Sequence, residues 1–161
     1  MGEDVRESES SSYFNPCEAV IVLHYVEQVL AMGMIQKEIG VIAPYRKMVK
    51  KLLELFSSKG LEKITIGSTE QLQGLERQVI VLTTVRSSSN SLLPDPGYKS
   101  GFLSNPKRFN VAITRARALF IIVGNPFVLQ QVNVFVFFYI SVAILNIITV
   151  TLVFQWVTIF L

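Results

Sequence analysis

Two spacings of hydrophobic residues recur along the chain: continuous apolar runs, and stripes in which apolar residues return every three or four positions. The runs are typical of strands buried on both faces and lie at 39–43, 64–66, 78–85 and 119–123. The stripes are typical of amphipathic helices and lie at 16–32, 46–58 and 105–116. Strands that alternate with helices predict an α/β fold, a parallel sheet with helices on both faces.

The first and third helices begin with the same signal. Asn15-Pro16 and Asn105-Pro106 each place an N-cap before a proline at the first helical position. Glu18 is expected to complete a capping box with Asn15, and Gly33 to end the first helix. The predicted inner face of this helix consists of Ala19, Val20, Leu23, Val26, Val29 and Leu30.

The other two helices are amphipathic by the same three-to-four-residue spacing of apolar positions. In the second, the predicted inner face consists of Val49, Leu52, Leu53 and Phe56. Its outer face carries Lys47, Lys50 and Lys51, which suit either solvent or phosphate contacts. In the third helix, which is expected to run to about Ala116, Phe109 and Ile113 share the core face with Ala116.

Charge is confined to the first part of the chain. Every charged residue lies at or before Arg117, and the net charge of +3 is weakly indicative of a nucleotide or nucleic-acid partner. The single Cys17 excludes an internal disulfide and a cysteine-rich metal site, and it fits a reducing compartment. Residues 1–13 are acidic and serine-rich, which predicts disorder and no signal peptide.

The segment 134–161 contains 28 uncharged residues, long enough to span a bilayer. It lacks flanking lysine or arginine and is dense in β-branched residues. Three interpretations stay open: translated sequence foreign to the natural protein, such as an intron, a membrane anchor, or a buried extension of the core. The first predicts that the strands are complete by Val123 and that the segment 127–161 packs little on the sheet.

A polar turn interrupts the apolar pattern between the second and third runs. The segment 68–76 follows the run at 64–66, so it is expected at the carboxyl edge of the sheet, where ligands of parallel sheets bind. Gly74 permits a close backbone approach, and Gln73 and Glu76 offer an amide and a carboxylate to a ribose, a water or an arginine. An ordinary polar turn is the alternative.

The second polar string is VAITRAR, residues 111–117. On a helix, Arg115 and Arg117 would be roughly 200° apart, so we expect one to reach a phosphate and the other to pair with an acid. The alternative is that both complement the helix dipole. Because the chain has no GxxxxGK[ST] loop, it is not expected to hold a nucleoside triphosphate alone.

Together these strings resemble motifs V and VI of superfamily-1 helicases, in STEQLQGLERQVIVLTTVRS and NPKRFNVAITRARALFIIVGNP, and IGVIAPYRKMVKKL resembles motif IV. The resemblance covers about residues 4–126 and is to the up-frameshift-like branch, in particular to the Moloney leukaemia virus ten-type and Armitage-related RNA helicases. It implies that 14–126 is the second RecA-like domain of an ATP-dependent RNA helicase, after a disordered 1–13 and before an apolar 127–161. The motifs of the first motor domain would lie before residue 1.

The resemblance implies roles for individual residues. Arg115 matches an arginine finger that reaches the γ-phosphate. The nucleotide-binding set is Gln73, Gly74, Glu76, Tyr45 and Arg46, and the RNA-binding set is Ser68, Thr69 and Arg86. The chain departs from motif V at Thr69-Glu70-Gln71-Leu72, where Val-Asp-Ser-Phe is usual, and no metal site is expected within it.

The resemblance also implies cofactors and partners. ATP and Mg²⁺ would be shared with the first RecA-like domain, which would hold the metal, and the partners would be single-stranded RNA and Argonaute-type silencing proteins. The implied location is the cytoplasm, in ribonucleoprotein granules, serving RNA silencing or decay. Two other classes stay open: a non-catalytic binding module, and a protein anchored in a membrane through 134–161.

Overall fold

The fold is described by a computed structural model, which covers residues 5–6, 12–86, 105–125, 129, 149–154 and 158–159. The predicted loop at 87–104 lies outside these residues. In chain order the elements are β1 (Val5–Arg6), β2 (Tyr13–Phe14), α1 (Pro16–Ala31), a 3₁₀ turn (Gln36–Glu38), β3 (Ile39–Ile42), α2 (Arg46–Ser57), β4 (Thr65–Gly67), β5 (Arg77–Thr83), α3 (Pro106–Ile113), β6 (Ala116–Gly124), β7 (Thr149–Phe154) and β8 (Thr158–Ile159).

The main sheet has the order β4-β3-β5-β6-β7-β8. Its first five strands are mutually parallel, and β8 pairs antiparallel with β7. Residues 39–42 of β3 pair with 79–82 of β5, and 79–83 of β5 pair with 119–123 of β6. The predicted parallel α/β sheet is therefore confirmed.

Helices cover both faces of this sheet. Alternate residues of each strand point to opposite faces, so Ile39 and Val41 pack with α1 and α2, whereas Ile42 packs with α3. Phe56 is central to the first core, and Phe109 and Phe120 are central to the second. All of these side chains are buried, which gives the three-layer arrangement that the apolar runs predict.

The start of α1 agrees with its predicted cap, but its inner face is rotated from the expected one. The side chain of Asn15 accepts a hydrogen bond from the Glu18 amide, and Pro16 is the first helical residue. Val20, expected inside, is 62 % exposed, whereas Val22 is fully buried. The stripe runs through 19, 22, 23, 26 and 29, a regular 3–4 spacing that Val20 does not fit.

The predicted inner face of α2 is confirmed for Leu52 and Phe56 and is wrong for Leu53. Met48, Leu52 and Phe56 are buried at strict four-residue intervals. Leu53 is 49 % exposed, and Val49 is half-buried at the edge of this stripe. Apolar character alone suggested Val49 and Leu53, although they flank the stripe that faces the sheet.

The boundary between α3 and β6 lies earlier than predicted. The helix ends at Ile113, and Ala116 already begins the strand. Arg117 is therefore a strand residue, and the helical angle of 200° between it and Arg115 is wrong. Ala112, which the predicted core face did not include, is buried beside Phe109.

Both ends of the chain differ from the sequence-based expectation. Val5–Arg6 pairs with Tyr13–Phe14 as a short antiparallel ladder within the segment predicted to be disordered. The sheet is not complete at Val123, because Thr149–Phe154 pairs in parallel with 119–124 of β6. Six consecutive residues of the tail, rich in the β-branched types that favour strands, therefore pair with the sheet, where little packing was expected.

Within the described residues, no helix is long and apolar enough to cross a membrane. Residues 134–148 of the suggested span lie outside the described part of the chain.

Candidate functional site

The connection from β4 to β5 carries its polar residues from one edge of the sheet to the other. Ser68 follows β4 directly at the carboxyl edge, whereas Glu76 immediately precedes β5 at the amino edge. Between them Leu72 is buried against the same face as α3. The expectation that all of 68–76 lies at the carboxyl edge is therefore wrong, because a connection between two parallel strands of one sheet must cross from one edge to the other.

The amino edge brings the two polar strings together. The Arg77 amide donates to the Arg115 carbonyl at 2.9 Å, which fixes the Gln-Gly-x-Glu turn beside the end of α3. Gly74 has φ +82°, a left-handed conformation that other residues adopt rarely. Arg117 Nε lies 3.8 Å from Glu76 Oε2, with both side chains more than half exposed. One arginine thus pairs with an acid, as predicted.

Arg115 has different partners. Its Nε donates to the Val111 carbonyl and its Nη2 to the Thr114 hydroxyl, both at 3.1 Å. These contacts place a half-buried cation at the C-terminal end of α3, where it complements the helix dipole. This geometry is compatible with the dipole alternative for Arg115, and its predicted contact with a phosphate stays a prediction. Gln73 and Glu76 are exposed on the same edge.

The carboxyl edge contains a cavity of about 650 Å³. It lies between the loop after β3, the start of α2, the turn after β4 and the first turn of α3. Its lining residues are Pro44, Arg46, Val49, Ser68, Thr69, Glu70, Gln71 and Arg108. Two arginines and three neutral polar side chains in one open cavity suit an anionic, hydrogen-bonding ligand.

The turn that forms one wall of this cavity is ordered by its own side chains. The Ser68 amide donates to Gln71 Oε1 at 2.8 Å, and the Gln71 amide donates to the Ser68 hydroxyl at 3.4 Å. Thr69 is only 3 % exposed, and its hydroxyl is buried without a hydrogen-bond partner within the described residues. Ser68 is thus better presented to a ligand than Thr69.

A salt bridge spans the cavity. Arg108 Nε lies 2.8 Å from Glu70 Oε1, and both side chains are about half exposed. Partial burial opposes ionisation of Glu70. The Glu70 backbone amide, the Ser68 hydroxyl and the Arg108 guanidinium outweigh that effect and lower the pKa of Glu70 below its ordinary value. At neutral pH the carboxylate therefore partly neutralises the cationic wall.

Aromatic and cationic side chains cluster beside this cavity. The guanidinium carbon of Arg86 lies 4.8 Å from the ring centre of Tyr13, and the Tyr13 and Tyr45 rings meet edge-on at 5.3 Å. Tyr45 and Arg46 therefore lie with the predicted RNA-binding residues, apart from Glu76 and Arg115. Both ring contacts involve Tyr13, which the motifs did not include.

Arg108 was also missed by the motifs, although the sequence holds a signal for it. Lys107 and Arg108 stand in the first turn of α3, where cations oppose the helix dipole. Such a placement indicates an outside anion or acid. No group of three or more His, Cys, Asp or Glu side chains suited to a metal ion occurs in the described part of the chain.

Comparisons with known proteins agree with the motif order. A family described as AAA domain matches residues 1–126. RNA helicase Mov10l1 of Mus musculus is 49 % identical over 133 residues, 81 % of this chain and 11 % of that protein. The protein named Probable RNA helicase armi, of Drosophila melanogaster, is 40 % identical over 129 residues, 80 % of this chain and 11 % of that protein. Regulator of nonsense transcripts 1 homolog of Arabidopsis thaliana is 33 % identical over 137 residues, 81 % of this chain and 10 % of that protein.

The chain spans between 10 % and 15 % of the length of the curated relatives it matches. The matched family covers everything from β1 to β6, including both edges described above, and ends before β7. The chain therefore belongs to the AAA domain family and, within it, to the Moloney leukaemia virus ten-type branch of the up-frameshift-like superfamily-1 helicases.

Proposed function

We propose that this chain supplies the second, RecA-like motor domain of an ATP-dependent RNA helicase. The observation that carries the proposal is the separation of the motif residues onto two edges of one sheet. Arg115, Glu76 and Gly74 share the amino edge, and Ser68 and Arg86 share the carboxyl edge. A motor needs this separation, because nucleotide and nucleic acid must contact the same rigid body at different places.

The amino edge is proposed to close over the nucleotide. ATP, when bound between two motor domains, supplies the γ-phosphate whose transfer to water drives the motor. Among the described residues Arg115 donates to two neutral oxygens only, so an anionic phosphate is a stronger partner for its guanidinium than either. Glu76 offers its carboxylate to the ribose, and Gly74 lets the backbone turn there. Mg²⁺ would be held by the first motor domain.

The carboxyl edge is proposed to bind single-stranded RNA. Arg46 and Arg108 supply charge along the cavity, and Ser68 supplies a hydroxyl for a phosphate or a 2′-hydroxyl. Tyr45 and Arg86 lie at its side, where planar groups suit stacking on unpaired bases. A role for Tyr45 and Arg46 on the nucleotide stays a prediction, because their position equally suits RNA.

Arginine substitutions test the nucleotide edge. We join the chain to the first motor domain of a relative and measure ATP turnover, with the isolated chain, expected to be inactive, as the baseline. Arg115→Ala should lower turnover by about 10³-fold or more, because an arginine finger contributes that much. Single-stranded RNA binding should largely survive.

Arg117→Ala is the matched control, two residues away. Its ion pair with Glu76 is exposed and long, so its loss should change stability by less than about 1 kcal/mol. Equal losses of turnover in the two variants would contradict the assignment of Arg115. Substantial turnover by the isolated chain would contradict the need for a second domain.

The pathway is proposed from the relatives. Their printed names describe RNA helicases and a regulator of nonsense transcripts, which supports a role in RNA silencing or decay. A cytoplasmic, granule-associated location and a contact with Argonaute-type proteins are part of this proposal.

A further inference from the structure

A carboxylate that the motifs do not use is buried beneath the carboxyl edge. Glu18, in the first turn of α1, is 3 % exposed. Its Oε2 accepts hydrogen bonds from the Thr83 hydroxyl at 2.5 Å and from the Val85 amide at 2.8 Å. Its Oε1 lies 3.4 Å from Nδ2 of Asn15. Beyond the predicted capping box, the Glu18 carboxylate thus contacts Thr83 and Val85, which lie 65 and 67 residues later in the chain.

The backbone at Val85 adopts a conformation that its side chain disfavours. Val85 has φ +66°, and a β-branched residue is rarely found there. The Arg86 amide donates to the Thr84 carbonyl at 2.8 Å, so the chain makes a γ-turn centred on Val85 at the end of β5. Such a turn persists only where its surroundings hold it.

Both polar backbone groups of Val85 are held by the start of α1. Glu18 accepts from the Val85 amide, and Asn15 Nδ2 donates to the Val85 carbonyl at 3.1 Å. Asn15 itself is fully buried and fixed, because its Oδ1 accepts from the Glu18 amide as the helix cap. The cap residue of α1 and a side chain of its first turn therefore hold the two backbone groups of one strained residue.

The turn determines where the next side chain goes. Arg86 follows Val85 directly, and its guanidinium lies over Tyr13. Its Nε is buried and has no hydrogen-bond partner in the part of the chain that the structure describes, so no hydrogen bond from this atom fixes the side chain. Its direction then depends on the packing against Tyr13 and on the backbone from which it leaves, at the turn that Glu18 and Asn15 hold.

We propose that Glu18 and Asn15 are positioning residues, which hold the γ-turn at Val85 and thereby aim Arg86 at the RNA-binding edge. This rests on the proposed function, in which Arg86 contacts RNA. Helix α1 would then be mechanically linked to that edge, so that a shift of α1 changes the direction of Arg86.

The position of Arg86 is measured first, independently of any ligand. In the full 161-residue chain, the Arg86 Nε–H resonance should be shifted upfield by the Tyr13 ring, and Tyr13→Leu identifies that shift. Glu18→Met removes both accepting oxygens at similar length and should abolish the shift. Glu18→Gln keeps one oxygen for Val85 and Thr83, so it should retain most of the shift.

A second pair of variants covers the case in which Glu18→Met does not fold. Asn15→Ser keeps a helix cap but cannot reach the Val85 carbonyl, so the ring shift of Arg86 should be lost. Asn105→Ser changes the equivalent cap of α3, which has no contact with Val85 among its hydrogen bonds, and should leave the shift intact. An unchanged Arg86 resonance in folded Glu18→Met or Asn15→Ser overturns the proposal.

Affinity for a labelled oligouridylate then tests the link to RNA. Removing a negative charge near the edge should by itself strengthen RNA binding, whereas loss of positioning should weaken it. We expect Glu18→Met and Arg86→Ala each to weaken RNA binding about tenfold. The double variant should bind RNA as well as each single variant does, because both changes remove the same contact. Additive losses, or stronger binding in Glu18→Met, overturn the positioning role.

The two proposals fail differently. If Arg86→Ala leaves RNA affinity unchanged, the RNA-binding role of Arg86 is wrong, and the resonance still decides whether Glu18 and Asn15 position it. If Arg86→Ala weakens binding and the resonance is insensitive to Glu18→Met and Asn15→Ser, the proposed function stands and the positioning role is rejected.

Discussion

Arg115 and Arg117 are two residues apart, yet different elements hold them. Arg115 lies at the end of α3, bonded to a helix carbonyl, and Arg117 already belongs to β6, where it faces Glu76. Within the part of the chain that the structure describes, the Arg115 guanidinium donates to neutral oxygens only, and it can exchange them for a phosphate without leaving a carboxylate unpaired. This difference, more than the identity of either side chain, makes Arg115 the candidate finger.

The Glu70–Arg108 salt bridge gives a pH-dependent prediction. The pKa of Glu70 is lower in the folded chain than its ordinary 4.5, so the stabilisation is complete above 4.5 and is lost as the pH falls through the folded pKa. Urea unfolding should show a difference between wild type and Glu70→Gln of less than about 1 kcal/mol at pH 7, because both groups are half exposed. That difference should shrink as the pH falls below 4.5 and disappear once the pH is below the folded pKa of Glu70.

Arg108→Gln is the control for this pair. It should abolish most of the effect of Glu70→Gln when the two are combined, since the interaction is already gone. A difference that grows as the pH falls would contradict the direction of the pKa change.

At this scale the sequence predicts local features well and distant contacts poorly. Gly74 and the Asn15 cap follow from rules that involve only neighbouring residues. Glu18 was read as a capping residue by the same rules, but its carboxylate bonds to Val85, which is 67 residues later. Tyr13 was missed for the same reason, since Arg86 meets it only in the fold.

At the scale of elements, the strands and the helix starts were predicted closely, and the helix ends and faces were not. An Asn-Pro pair sets the start of α1 and α3, because the asparagine caps the helix and the proline suits its first position. No comparable signal in the sequence indicates the end of α3 before β6. The inner faces of α1 and α2 depend on which residues meet the sheet. Val20 and Leu53 are apolar, so composition could not exclude them, but tertiary packing leaves both exposed.

The close approach of β5 and β6 at the carboxyl edge gives a prediction about Gly124. A Cβ at Gly124 would lie 3.2 Å from Cβ and 3.0 Å from Cγ2 of Thr84, and closer still to its hydroxyl. Thr84 is buried, so it cannot move aside. Gly124→Ala should therefore destabilise the fold by about 1–3 kcal/mol, measured by thermal or urea unfolding.

Combining Gly124→Ala with Thr84→Ala tests the cause. Removing the hydroxyl and the methyl group that the new Cβ would meet should return part of the lost stability, so the double variant should be more stable than the sum of the two changes predicts. Strict additivity would show that the loss arises elsewhere.

At the scale of the whole molecule, the sheet continues beyond the part shared with relatives. The family match ends at residue 126, at the end of β6, yet β7 pairs along six residues of that strand. Sequence patterns did not predict this pairing, because the uncharged 134–161 has no Gly or Pro turn signal that would mark the ends of a strand. Its length of 28 residues favoured a bilayer span over a short strand at 149–154.

Truncation after Pro126 decides how much β7 contributes. The continuous strand 119–124 would become the edge of the sheet, with its ladder groups unpaired and its residues strongly apolar. Because each ladder hydrogen bond contributes about 1 kcal/mol, we expect the 1–126 chain to lose about 3 kcal/mol or more of unfolding free energy. Urea unfolding measures this loss, and sedimentation should show that the truncated chain self-associates through the exposed edge.

A control chain that keeps 127–161 but carries Thr151→Pro should behave like the truncation, since proline removes a ladder donor. A truncated chain that is monomeric and as stable as the full one would show that β7 is dispensable to the sheet.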